Sequence, residues 1–267
     1  MNKVVSILLW LILISLTMTG CVQTGSNVSS TGQSAANTLK VGVTSNAPPL
    51  IYKQNGKVTG LEAELARELA AFAGKKIRFV ELNWVDQIPA LVSGKIDIIM
   101  SGMTRTRLRQ VRIDFSNPYL VAGQVSLVRR AEYNRYSDGF TNLLNQTVKI
   151  GTVKGTTGDF LIDQQIAQGS SKFKTPDQAI KALLENKIDV FVYDLPMNFY
   201  FAALHETEGL VPVPVPMTRE ELAWGIRKGD TELLNTANSF LEHQRQNKQL
   251  QVKIQRWIPF YKNLYNQ

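Results

Sequence analysis

The 267-residue chain predicts an α/β fold with largely parallel sheets. Short apolar runs rich in Val and Ile alternate with segments of helical period, the order that builds βαβ units. Gly, Pro and Asn punctuate the joints between them. One unit also occurs twice, as "ALVSGKIDIIMSG" over 90–102 and "ALLENKIDVFVYD" over 182–194. Both read helix end, Gly or Asn stop, Lys, Ile, Asp, buried strand. Either such joints merely resemble one another, or two related units put Gly102 and Asp194 at equivalent strand ends. The second alternative implies two lobes with a cleft between those ends.

Each element follows from local chemistry. "MNKVVSILLWLILISLTMTGC" has Lys3, an apolar run from Val4 to Leu16, and small residues before Cys21. That is the layout of a secretory signal rather than an anchor helix. Cys21 is the only cysteine, so no internal disulfide forms, and its place after "MTG" marks a lipid attachment point. Residues 22–37 are small and polar without apolar period, a flexible tether. "LKVGVT" from Leu39 is a first strand, broken at Pro48–Pro49, and Asn55-Gly56 suits a type I′ hairpin turn. "GLEAELARELAAFAGKK" is an amphipathic helix with Leu61, Leu65, Leu69 and Phe72 on one stripe, Glu62 and Glu64 on the exposed one, and Gly74 as its stop. A strand "IRFVEL" and a helix over 86–93 follow. "TPDQAIKALLENK" opens with Thr175 as cap, Pro176 at the first helical position and Gln178 completing a capping box.

Composition narrows the function. Lys and Arg number 30 against 22 Asp and Glu, a formal charge of +8. The basic residues are dispersed rather than gathered with aromatics in a stripe, which argues against nucleic-acid binding. No His/Cys/Asp cluster has metal-ligand spacing, and no cofactor motif is present. His205 and His243 lie outside any cleft motif, so no catalytic set emerges.

Two stretches carry binding chemistry. In "GKIDIIMSGMTRTRLRQVRIDFSNPY" (94–119), a buried strand ends in Ser101, Gly102 and Thr104, then meets a run of arginines. Such strand ends are where open α/β sheets bind ligands. "VKIGTVKGTTGDF" runs a strand into Lys154-Gly155-Thr156-Thr157-Gly158 and a helix start, a turn suited to an anion such as a carboxylate. The P-loop spacing is absent.

Five segments together resemble a known family: "VTGLEAELARELA" (58–70), "IPALVSGKIDIIMSGMTRTRLRQVRIDFSNPY" (88–119), "GTVKGTT" (151–157), "KIDVFVYD" (187–194) and "LAWGIRKGD" (222–230). In this order they resemble the solute-binding proteins of ABC importers for polar amino acids, the group of glutamine- and lysine/arginine/ornithine-binding proteins. The resemblance implies a two-lobed type II periplasmic-binding-protein clamshell with two hinge strands. Lobe 1 would be 38–120 plus 226–267, lobe 2 125–221, and the hinges 120–124 and 222–225. Trp257, in the closing helices, would be a packing anchor.

The resemblance also implies roles. Arg109, closing the T-x-x-R text, would form a bidentate pair with a ligand α-carboxylate, for which the guanidinium fork is shaped. Gly102 and Thr104 would meet the α-amino and carboxylate groups beside the strand-end hydroxyl of Ser101, also counted among the ligand-binding residues; Thr156 and Thr157 would complete the carboxylate site, and Asp194 would pair with the α-ammonium. Arg105, Arg107 and Arg112 would be solvated charges. Trp84 would wall the ligand side chain, with Lys154 and Tyr193 reading it. Two positions depart from the family: Ala47 replaces an aromatic and Thr44 an acid. With Lys154 at the edge, the ligand would be a neutral polar or acidic amino acid rather than a basic one. The implied protein is an exported, lipid-tethered, monomeric binding component that serves a membrane permease. The alternatives are a sensor and a dehydratase-like enzyme on the same fold.

Overall fold

A computed structural model describes residues 37–145 and 147–261. The expected leader with Cys21, and the tether through Ala36, lie outside the described residues.

The described residues open with β1 (Thr38–Val43), which buries Leu39, Val41 and Val43. A small antiparallel sheet follows from β2 (Asn46–Ala47), β3 (Ile51–Gln54) and β4 (Lys57–Thr59). Asn55 and Gly56 turn β3 into β4 at φ 51° and 74°, the left-handed pair a type I′ turn requires. The helix Leu61–Phe72 buries Leu61, Leu65 and Leu69, while Phe72 is half exposed at its end. β5 (Lys76–Glu81) then lies parallel to β1. A 3-10 turn at Trp84–Asp86, the helix Gln87–Val92, β6 (Ile98–Ile99), the short helix Arg107–Gln110 and β7 (Ile113–Phe115) complete this half.

β8 (Leu120–Ala122) leaves the first lobe, and β9 (Gln124–Arg129) enters the second after Gly123. There follow β10 (Ile150–Val153), the helix Thr157–Gln165, β11 (Ser171–Phe173) and the helix Pro176–Leu184. β12 (Val190–Asp194), the helix Leu195–Leu204 and β13 (Leu210–Val213) close the lobe. β14 (Glu220–Leu222) returns antiparallel to β8, and β15 (Gly225–Arg227) enters the first sheet ahead of the helices Thr231–Gln246 and Gln249–Trp257.

Two five-stranded sheets result, in the orders β5-β1-β6-β15-β7 and β11-β10-β12-β9-β13. In each, the fourth strand runs antiparallel to both neighbours and the first three are parallel. The first sheet needs β15 from the far end of the chain, so that lobe is discontinuous in sequence. At the second crossing, β14 at 220–222 pairs with β8, and Gly225 pairs into the first sheet beside Ile99 and Phe115. Among the described residues, no helix is long and apolar enough to cross a membrane.

The echo holds at atomic detail. Asp97 Oδ2 accepts from the Lys40 amide at 2.8 Å, and Asp189 Oδ2 accepts from the Lys149 amide at 2.9 Å. Gly94 and Asn186 both take left-handed φ before the Lys-Ile-Asp text. Gly42 and Gly151 are the bare positions against which Ile96 and Ile188 pack: a Cβ would stand 2.3 and 2.4 Å from their Cδ1 atoms.

Candidate functional site

The first-lobe wall is built where β6 ends. Ser101 Oγ accepts from the Thr44 amide at 2.8 Å, which holds that hydroxyl at the cleft. Gly102 turns the chain at φ 68°. Thr106 caps the short helix Arg107–Gln110 by accepting from the Arg109 amide at 3.2 Å. That cap aims Arg109 back under its own loop, where one guanidinium nitrogen donates to Thr104 O at 2.9 Å. The other terminal nitrogen reaches Gly155 O in the second lobe at 3.3 Å. Trp84 Nε1 donates to the same carbonyl at 2.9 Å, and the Arg109 guanidinium lies 5.2 Å from the Trp84 ring centre. Arg109 is only 8% exposed, and among the described residues it has no ion-pair partner. Burial lowers its pKa, and the fields of Asp194 and Glu220 oppose that. Arg105, Arg107 and Arg112 are exposed, and Arg105 pairs with Glu221.

The second lobe answers with the turn at 154–157. Asp159, buried, accepts from the Gly155 amide at 2.9 Å and from the Thr152 hydroxyl at 2.9 Å, fixing the turn. Thr156 caps the helix Thr157–Gln165: its hydroxyl donates to Val153 O at 2.7 Å and accepts from the Asp159 amide at 3.3 Å. Thr156 therefore offers the cleft little beyond its backbone. Tyr193 and Asp194 end β12, and Tyr193 stacks on Phe191 at 5.2 Å between ring centres.

Asp194 is held at the end of β12 by Gln124 Nε2, which donates to its Oδ1 at 3.0 Å. Burial and the charge of Glu220 push its carboxyl up to about 7, against the opposing pull of Gln124 and Arg109. Glu220, on β14 between the lobes, has no counterpart in the sequence-based site. Its Oε2 accepts from the hydroxyls of Thr104 and Thr157, both at 2.7 Å, and its Oε1 from the Thr218 hydroxyl at 2.7 Å and Gln124 Nε2 at 3.2 Å.

Glu62 corrects an expectation. It is fully buried, not on an exposed stripe, and its Oε2 accepts from the Gly102 amide at 2.5 Å. The Gly102 N–H is thus already engaged behind the cleft. Desolvation raises the Glu62 carboxyl to about 8, opposed by Tyr119, the Gly102 amide and Trp224 around it. Helical spacing carried the signal, since Glu62 stands three and seven residues before the buried Leu65 and Leu69. Glu64 instead accepts from the Trp257 indole at 2.7 Å and from Arg256, which docks the last helix.

Trp84, Ser101, Gly102, Thr104, Arg109, Thr156, Thr157, Tyr193 and Asp194 line one tight cavity of about 10 Å³ between the lobes, joined by Met197. Lys154 does not line it: its side chain is exposed, and its amide donates to Phe173 O at 2.9 Å. The tight turn after it points that side chain to solvent. Among the described residues, no group of His, Cys, Asp and Glu could hold a metal.

Two facing lobes, a crossing strand pair and a polar interlobe cavity agree with comparison to known proteins. Residues 39–260 match the bacterial extracellular solute-binding proteins, family 3. The chain belongs to this family. It is 33% identical over 220 residues to a protein named probable histidine-binding protein from Neisseria gonorrhoeae, covering 79% of this chain and 81% of that one. Its fold is similar to an ancestral amino acid-binding protein, a precursor of cyclohexadienyl dehydratase, with TM-score 0.77, 34% identity, and coverage of 84% and 96%. An ancestral arginine-binding protein is similar both with arginine bound (TM-score 0.76, 29% identity, coverage 83% and 98%) and with glutamine bound (0.77, 30%, 83% and 97%). Other curated relatives are named for arginine, cystine and glutamine binding. Family 3 proteins of this kind are extracellular and bind amino acids.

Proposed function

We propose that this chain is the binding component of an ABC importer. It captures a zwitterionic α-amino acid between its lobes and presents it to a membrane permease, tethered outside the cell membrane through a lipid on Cys21. Arg109 takes the ligand carboxylate in a bidentate pair, and Asp194 takes the ammonium. The observation that carries this is Arg109 itself: a guanidinium 8% exposed, on the wall of the interlobe cavity, bonded to two carbonyls and no acid. A buried cation without an anion is costly, and a ligand carboxylate at that wall offsets the cost.

The acidic or neutral ligand class expected from Lys154 loses its basis, because Lys154 faces solvent. The charged groups that remain at the cavity and its crossing strand are Arg109 against Asp194 and Glu220. A zwitterion leaves that balance negative, and a cationic side chain neutralises it. Basic amino acids therefore come first, with glutamine next. Calorimetry with histidine, lysine, arginine, glutamine and glutamate at one ionic strength tests the order. Tightest binding of glutamate would overturn the charge reading, and absence of binding by every α-amino acid would overturn the zwitterion clamp.

A further inference from the structure

We propose that Glu220 is a positioning residue that fixes the hydrogen-bond polarity of the amino-acid site and ties both lobes to the crossing strand in the closed form. This rests on the amino-acid reading of the cavity above.

An ionised carboxylate only accepts hydrogen bonds. Glu220 Oε2 lies 2.7 Å from Thr104 Oγ1 in the first lobe and 2.7 Å from Thr157 Oγ1 in the second, so both hydroxyls must donate to it. Its Oε1 takes the Thr218 hydroxyl at 2.7 Å and Gln124 Nε2 at 3.2 Å. All four neighbours are donors; the three hydroxyls commit their protons to Glu220, while the two protons of Gln124 Nε2 are shared among Glu220 Oε1, Asp194 Oδ1 and Thr157 Oγ1. A hydroxyl has one proton and two lone pairs. Once the proton of Thr104 is committed to Glu220, its oxygen meets the cavity as an acceptor. Thr157 keeps at least one lone pair for the cavity, because the shared Gln124 Nε2 protons, 3.0 Å away, take at most one. Thr104 and Thr157 thus present acceptors for an ammonium, alongside Asp194, and not donors for a carboxylate. That reverses the role the resemblance gave Thr157. It also leaves the carboxylate end to Arg109.

The same oxygen is shared by one hydroxyl from each lobe. Opening the cleft would separate Thr104 from Thr157 and leave Glu220 Oε2, on a residue 8% exposed, with at most one of its two partners. Glu220 therefore favours closure before any ligand contributes.

Glu220→Gln keeps the shape and breaks the polarity. An amide at either end of the side chain faces a donor: the two threonine hydroxyls on one side, or the Gln124 amide on the other. The Gln124 amide cannot become an acceptor while it also serves Asp194 at 3.0 Å. The threonine hydroxyls can rotate, and doing so turns their protons into the cavity.

Two measurements on folded Glu220→Gln decide the matter. The first is selectivity: affinity for lysine against 6-aminohexanoate, and for histidine against 3-(imidazol-4-yl)propionate, each pair differing only in the α-ammonium. The preference for the amine-bearing member should fall at least tenfold. An equal loss for both members of each pair would mean a merely structural role and overturn the proposal. The second needs no ligand: spin labels at exposed Val92 and Lys187 report the distance between lobes. Ligand-free Glu220→Gln should shift towards longer distances. The same change added to Thr104→Val/Thr157→Val should shift them no further. An unchanged distribution, or a full further shift in the threonine background, would overturn the proposal. If neither lysine nor histidine binds the parent protein, the ligand-class reading fails while this second measurement still decides on Glu220.

Discussion

The two lobes carry one architecture and opposite chemistry. Both run three parallel strands into an antiparallel fourth, both fasten an Asp to the amide of a preceding Lys, and both pack an Ile against a glycine on the neighbouring strand. They part at the strand end. Five residues after Asp97 the first lobe has Gly102, whose amide is held from behind by Glu62, and the loop then delivers a cation, Arg109. Five residues after Asp189 the second lobe has the carboxylate of Asp194. Repeating a frame while inverting the charge at its tip makes a site complementary to a molecule carrying both charges. Under the proposed function, a ligand that bridges them would add to the closure that Glu220 already favours.

The sharpest break of that comparison is Arg109→Ala. Removing one partner of a buried charged pair should cost about 2–5 kcal/mol of ligand binding. The first lobe should remain folded by circular dichroism. Near-normal affinity in calorimetry would show that the positive end of the site lies elsewhere.

Gly42→Ala and Gly151→Ala probe the shared frame. Each Cβ would press on an isoleucine Cδ1 closer than contact permits, and overpacking of this kind costs about 1–3 kcal/mol. The two costs should be similar, because each Cβ position has a second close neighbour: Gln87 Oε1 at 2.8 Å from that of Gly42 and Phe173 Cε2 at 3.0 Å from that of Gly151. Denaturant unfolding of the two variants compares the lobes directly. A neutral result at one site would show that its isoleucine has room to move.

Asp194 sharpens the electrical contrast. Its carboxyl, raised to about 7 by burial and by Glu220, keeps its proton in the folded protein at pH values where the unfolded chain has lost it. Stability from this group is fully present below its ordinary pKa of 3.8 and is lost as pH rises through about 7. Ligand binding runs the other way, since an ammonium pairs with the ionised form. Affinity should weaken about tenfold per pH unit below pH 7 in the parent. It should weaken overall and lose that slope in Asp194→Asn. A slope that survives in the variant would assign the titration to another group.

The contrast at Glu62 is read in stability alone. Its folded pKa of about 8 lies above the ordinary 4.5, so folded-state stability from it falls as pH rises from about 4.5 to about 8. Glu62→Gln should flatten part of that fall in thermal melts across the window, with little change at pH 4. Unaltered pH dependence would mean that Tyr119 and Trp224 compensate the charge more fully than the buried environment implies.

Much of the fold was legible because it is written in local signals. The Asn55-Gly56 turn, the stop residues Gly94 and Asn186, and the Lys-Ile-Asp text each act over a few residues. Of the site, the strand-end residues and Arg109 could be placed because they sit at the ends of recognisable strands or helices. Glu220 could not. Its importance comes from four donors, three of them more than sixty residues away at Thr104, Gln124 and Thr157, which meet only when both lobes fold against β14. Lys154 misled for a similar reason: sequence places it in the turn, but only the path of the backbone decides which way its side chain points. Glu62 shows the opposite failure. Its apolar-stripe position was readable, and its charge was allowed to outweigh the period.

Trp84 has an optical consequence. Its indole is the only one among the described residues bonded across the cleft, to Gly155 O at 2.9 Å, with the Arg109 guanidinium on its ring. Trp224 is fully buried, and Trp257 is tied to Glu64 on the first-lobe helix, so neither changes company when the lobes part. The protein's intrinsic fluorescence is therefore a natural gauge of the jaw. With a single Trp84→Phe control, the emission of the unlabelled chain would follow opening and closing in real time, without a dye in the cleft.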